Sequence, residues 1–370
     1  MKKIIFSILF SISMLFAQSE ASGLVDSVYW VDMHNGNDSN NGTSAATAFK
    51  TIHKVLATNT YLSSEVVTTT IKVMPSVVAG SPNGYYDFGD SELYLATSND
   101  FELIGVAGPD STIFDAESKN RHMSLYYGQS NKSIIQGITF RNGKSTNWPD
   151  GGSIYISNST NIQFIDCVWK NNSSSYGSDG GGAIHIREKA TPSFTSCVFD
   201  SNFMDVDDNS TSGGAISIQY PQNETDLKSA IKIKRSKFSN NYVKAKYQAT
   251  GGAIHSRRAI EIENSLFVNN GAISNNGGSN NSSFGGAIAL NINWYDNGYK
   301  IADAYIKNST FHGNYIKSLS SSTGDMVGAA IAHAQWDNAG QKTFIFNTII
   351  TGSRALVVND TTDYDTSNLS

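Results

Sequence analysis

The sequence predicts an all-β protein, a single-stranded, right-handed parallel β-helix with a short N-terminal capping helix. Three observations carry that prediction. A Gly-Gly-Ser-Ile block at 151 recurs as Gly-Gly-Ala-Ile at 181, 213, 251 and 285 and as Gly-Ala-Ala-Ile at 328, about 30 to 43 residues apart. After each copy comes a block in which apolar residues alternate and an aromatic precedes an asparagine: Trp169 with Asn172, Phe199 with Asn202, Phe238 with Asn241, Phe267 with Asn270 and Phe311 with Asn314. Phe140 with Asn142 is an earlier relative. Charged residues make up only 16% of the chain, and Gly, Ser, Asn and Thr take their place, a balance that favours turns over helix.

The strands follow from period two. In Ile184-His185-Ile186-Arg187 and Ile216-Ser217-Ile218-Gln219 the branched residues face one side and the polar ones the other. The repeat is too short for a four-stranded propeller blade in every copy, and helix-forming stretches are missing between strands, so each repeat reads as one coil of a solenoid. Coils stacked at roughly 4.8 Å line equivalent residues up into ladders along the axis. The Gly pair then marks a tight corner, the Ala a narrow interior, and Ile, Val and Phe the core. Asn172, Asn202, Asn241, Asn270 and Asn314 are expected to bond side-chain amides to the coils above and below. Length varies at 173–179, 203–212, 242–250, 271–284 and 315–327, and in some coils between the two blocks. A shared register makes these loops emerge along one edge as a polar ridge.

At the N-terminus, Lys2 and Lys3 precede an apolar run ending at Phe16 and small residues to Ser22, so 1–22 reads as a secretory signal peptide. Residues 23–70 are expected to form a cap and entry segment, 71–356 the β-helix, and 357–370 a polar tail beyond which the chain continues. Within the entry segment, Tyr29-Trp30-Val31-Asp32 reads as a strand, 35–43 as a turn-rich loop and 49–56 as a short amphipathic helix closing an otherwise open end. No later apolar run is long enough for a transmembrane helix. A net charge of −5 with no basic block excludes nucleic acid as a partner, and a monomer is expected.

Residues 29–56 resemble the entry segment of bacterial pectate-lyase-like β-helix proteins, and Phe101-Glu102-Leu103-Ile104-Gly105-Val106-Ala107-Gly108-Pro109 resembles a common early coil of that superfamily. The paired Gly-Gly-Ala-Ile and Phe-x-x-Asn motifs resemble those of the chlamydial polymorphic outer membrane proteins, surface autotransporters with adhesin roles. The resemblance implies a secreted protein, extracellular or on the outer-membrane surface of a bacterium. It further implies a non-catalytic adhesin whose loops meet a polysaccharide, a cell-surface glycan or a protein. The alternative it implies is a polysaccharide lyase acting on acidic glycans.

Outward positions after the Gly pairs are Tyr155 and Ser157, His185 and Arg187, Ser217 and Gln219, His255 and Arg257, Ala289 and Asn291. None is acidic, which leaves out the paired carboxylates of a glycoside hydrolase. A lyase needs a cation to neutralise a uronate and a base to take the neighbouring proton. His185, Arg187, His255 and Arg257, two coils apart, are the candidates on a face expected to be solvated, with Asp150 and Asp179 on the same edge. Tyr155, Trp294, Tyr295 and Trp336, with Tyr299, are candidate ligand-stacking aromatics. Asp205, Asp207 and Asp208 bring hard oxygen donors together and are candidates for Ca²⁺, as is 32–38, though turn formation explains the latter equally well. No cofactor is otherwise required. Cys167 and Cys197 fall at equivalent places in adjacent coils, as a disulfide or as stacked thiols behaving as small apolar residues.

Overall fold

The computed structural model describes residues 27–58, 68–88, 92–95, 99–126, 129–146, 150–158, 160–175, 180–219, 226–227, 230–275, 282–290, 300–301, 303–319, 326–333, 342–359 and 362–365. Short alternating segments become strands that stack coil upon coil, and the chain is a parallel β-helix. Sheet I has ten strands, from Ser27–Val31 to Thr343–Phe346; sheet II has nine, from Tyr86–Asp87 to Ile349–Thr351. Sheet III has eight, from Lys144–Ser145 to Thr362–Asp365; sheet IV four, from Thr211–Ser212 to Met326–Val327; sheet V eight, from Leu93–Leu95 to Ile331–His333. A complete coil visits them in that order. Ile231–Lys234, Lys237–Ser239, Tyr242–Ala245, Gln248–Thr250 and Ile254–Ser256 make one, and Ile260–Glu263 begins the next. These strands pair in parallel, except that Arg354–Asn359 meets Thr362–Asp365 antiparallel.

Sheets I, II and V enclose the main core. One aromatic per coil points inward from sheet II, and Trp169, Phe199, Phe238, Phe267 and Phe311 stack with centroids 4.6 to 4.8 Å apart and planes within 5°. The asparagine ladder forms as expected. Asn172, Asn202, Asn241, Asn270 and Asn314 are all fully buried, and each of the first four donates Nδ2 to the Oδ1 of the next at 2.9 to 3.0 Å. Asn142 is not a rung, because register aligns Phe140 with Trp169 and so Gly143 with Asn172. Gly143 heads the ladder instead, its backbone N–H donating to Asn172 Oδ1 at 2.7 Å. Asn142 takes the left-handed corner position, φ 56°, shared with Asn171, Asn240 and Asn269.

The expected polar loops are largely strand. Phe203–Val206, Tyr242–Ala245, Gly271–Ser274 and Tyr315–Ser318 leave the body as sheet III, and Thr211–Ser212, Gln248–Thr250, Ser282–Phe284 and Met326–Val327 return as sheet IV. Met204, Val206, Val243, Ala245, Ala249, Ala272 and Ile316 fill a second core there. Alternation with polar neighbours hid this layer from a reading that looked for strands beside the repeat blocks. The Gly pair closes the neck between body and excursion. Gly251 adopts φ +69°, and a Cβ on Gly252 would collide with the backbone of Gly271 and Gly286.

At the N-terminal end, strand Ser27–Val31 already pairs with Thr68–Val73 in sheet I. Helix Ile52–Ala57 follows the predicted spacing, with Thr51 Oγ1 accepting from Lys54 N and with Ile52 and Val55 buried against the first coils.

Candidate functional site

The outer face of sheet V carries the residues singled out for chemistry. Register puts His185 beside Ser217 and Ser217 beside His255, two coils apart as the sequence reading requires. Arg187, Gln219 and Arg257 follow one row further on, since Gln219 N donates to Ile186 O and Arg257 N to Ile218 O.

The face is not solvated. His185 and His255 are each 1% exposed, and Arg187 and Arg257 are half-buried. Period two tells which side a residue faces and not what lies across from it; here sheet IV turns back through the Gly pair, and its Ser212 hydroxyl lies 3.4 Å from that of Ser217. Burial pushes the His185 imidazole down to about 3, with the charges of Arg187, Arg121 and Arg257 acting in the same direction. Burial likewise holds His255 well below the ordinary range, reinforced by Arg257 and His185. Both rings are therefore neutral at physiological pH. Neither nitrogen of His185 makes a hydrogen bond, and its Nδ1 lies 3.9 Å from the buried Asp150 carboxylate. Neutral, enclosed imidazoles supply no positive charge to this face.

Tyr155 is also buried, at 4% exposure, and its ring stands edge-on to His185. Trp294, Tyr295, Tyr299, Trp336, Asn291 and Asp179 lie outside the described residues. Sequence reasoning missed Glu92, Tyr94, Arg121 and Tyr126, which share this face. The signal was the alternation Leu93-Tyr94-Leu95, which repeats Ile-x-Ile without the Gly pair that marks the later copies.

The candidate Ca²⁺ loop is organised around an ammonium. Lys244 Nζ lies 3.1 Å from Asp205 Oδ1 and 4.0 Å from Asp207 Oδ1. Among the described residues no three His, Cys, Asp or Glu side chains gather closely enough to hold a metal ion. At the N-terminus, Asp32 accepts from the backbone of His34 and Asn35, and Asp38 from Lys50 N, Thr51 N and the Thr51 hydroxyl. Turn formation uses these carboxylates.

Cys167 and Cys197 are buried free thiols. They belong to a corner ladder that continues as Ser236, Ser265 and Ser309. Cys197, Ser236 and Ser265 each donate a backbone N–H to the next Ser Oγ at 3.2 Å. Each Ser Oγ donates to the carbonyl two residues back, and the two thiols do the same at longer sulfur distances of 3.4 and 3.5 Å. Burial raises both thiols well above their ordinary range, so neither is a nucleophile.

Compared with family profiles, curated proteins and solved structures, the chain matches none.

Proposed function

We propose that this chain is a secreted or cell-surface display protein of the pectate-lyase-like β-helix class, non-catalytic, whose variable segments present a binding edge to a glycan or a protein surface. The observation that carries this reading is the tolerance of the ladder. Successive ladder asparagines are separated by 30, 39, 29 and 44 residues, yet their amide bonds measure 2.9, 3.0, 2.9 and 2.9 Å. Insertions therefore leave the body unperturbed, as expected where lengthening a surface loop costs little closure entropy. A spine that absorbs length changes both on the sheet III and IV side and between sheets V and I suits recognition by variable segments. The second core supports the same reading, because it stiffens the base of the segments that leave through sheets III and IV. The burial of His185 and His255 favours display over the lyase alternative, while Arg187 and Arg257 stay half-buried.

The test is to incubate the purified chain with pectate, alginate and glycosaminoglycans, with and without Ca²⁺, following absorbance of the unsaturated product, and in parallel to probe a glycan array and intact cells. Display predicts no turnover, together with binding that Trp294→Ala or Trp336→Ala weakens. Turnover abolished by His255→Ala would overturn it in favour of a lyase.

A further inference from the structure

The outer face of sheet V opens at its N-terminal end, and there it is aromatic. Tyr94 is 53% exposed. Ring centroids lie 5.3 Å apart between Tyr94 and Tyr126 and 5.1 Å apart between Tyr126 and Tyr155. Register sets Tyr94 beside Ser124 and Ser124 beside Tyr155, so the Tyr126 ring bridges two rings that are two coils apart. A fixed carboxylate stands next to this row. Glu92 Oε2 lies 2.6 Å from Arg121 Nε, and Glu92 Oε1 accepts from the Ser124 hydroxyl at 3.4 Å. Arg121 is 7% exposed and anchored in turn, its Nη1 donating to Asp150 O at 3.2 Å, while the Glu92 side chain keeps 34% exposure. The inner end of the row is His185, fully enclosed.

We propose that Tyr94, Tyr126 and Glu92 form a binding site for a neutral pyranose ring at the mouth of sheet V, with the buried Tyr155 ring packed behind Tyr126. A pyranose presents a C–H face and a rim of hydroxyl donors. Tyrosine rings bury the first and leave their own hydroxyls wet. A carboxylate accepts from adjacent hydroxyls as charge-assisted hydrogen bonds. Arg121 holds that carboxylate in place before the sugar arrives, so little ordering is left to the moment of binding. The same carboxylate disfavours sugar acids, because the Arg121 charge beside it is already engaged with Glu92. The site thus selects neutral over acidic sugars, the reverse of what a lyase of uronates would need. It lies apart from the variable excursions and does not depend on them.

The experiment titrates the full chain with neutral cello-, xylo-, manno- and malto-oligosaccharides, and with oligogalacturonate and choline as charged probes, by calorimetry. At least one neutral oligosaccharide should bind. Tyr94→Ala should weaken it about tenfold or more, the loss of one well-packed aromatic contact. Glu92→Gln should weaken it about fivefold. Tyr94 is exposed, so an unshifted thermal melt verifies that its variant is folded. The proposal is overturned if no neutral oligosaccharide binds the parent chain, if Tyr94→Ala binds as well as the parent, or if only oligogalacturonate or choline binds. Failure of the display reading looks different: excursion variants would then lose no binding anywhere, while Tyr94→Ala still lost the sugar.

Discussion

Replacing Asn241 by alanine tests whether the ladder holds the coils together. Its Oδ1 accepts from Asn202 N and Asn202 Nδ2, each at 3.0 Å, and its Nδ2 donates to Phe199 O and Asn270 Oδ1, each at 2.9 Å. Asn241→Ala orphans two buried donors on Asn202. At about 1–3 kcal/mol for each unsatisfied buried group, the loss is about 4 kcal/mol, with Phe199 O adding to it. Asn172 is the internal control. Its Oδ1 accepts from Gly143 N, and Gly143 has no side-chain amide above it, so Asn172→Ala orphans one donor and costs about half as much. Guanidinium unfolding followed by fluorescence of the buried Trp169 reports the difference. Hydrogen exchange at Asn202 N–H shows whether the damage is local, since solenoids can open in parts. Equal losses at the two positions, or a loss below about 1 kcal/mol at Asn241, would refute the accounting.

Acid should destabilise the fold through its enclosed histidines. Burial holds His122 at about 4 and His185 at about 3, against an ordinary value of 6.5, so the folded state binds fewer protons than the unfolded one below that point. Their contribution is complete above pH 6.5 and is lost as pH falls toward the folded values, at up to about 1.4 kcal/mol per pH unit for each ring. Denaturation midpoints measured from pH 8 to 4 should fall, His185→Phe should flatten the slope, and a flat profile in the parent would contradict the burial. Cys167→Ser and Cys197→Ser should each cost less than about 1 kcal/mol, because Ser236, Ser265 and Ser309 occupy the same ladder position in later coils. A loss above about 2 kcal/mol in unfolding experiments would mean that the thiols do something serine cannot. Gly252→Ala should cost about 3 kcal/mol or more, since its Cβ would meet backbone on two sides that no side-chain rotation can clear; a thermal melt unchanged from the parent would show that the neck is loose.

What the sequence revealed and what it hid divide along a physical line. Ladder residues were legible because stacking repeats one environment in every coil. Asn172 through Asn314 and the aromatics before them therefore recur at a fixed offset from each other whatever the loops do. The register error at Asn142 came from matching residue type alone. In Phe140-Arg141-Asn142-Gly143 the fourth position is the rung, and the asparagine before it serves the left-handed corner. The serine ladder was also visible as Ser236, Ser265 and Ser309, each just before a strand of sheet II. The two cysteines drew attention as a pair and away from the serines that follow them. Burial of His185 and His255 was not available from alternation, because the sheet that turns back over their face is reached only after each excursion has left and returned.

That closure reassigns the face. Outward residues of sheet V run from Tyr94 through Ser124 and Tyr155 to His185, Ser217, His255, Ala289 and Ala332. Tyr94 is 53% exposed, whereas every later residue of the row is buried, and at the far end Phe284 of sheet IV packs onto Ala289 and Ala332. The Gly corners at 213, 251, 285 and 328 each follow a strand of sheet IV and bring that sheet back against the face, where Ser212 meets Ser217. The same corners cover this face, and of the outward residues just named Tyr94 is the one left exposed.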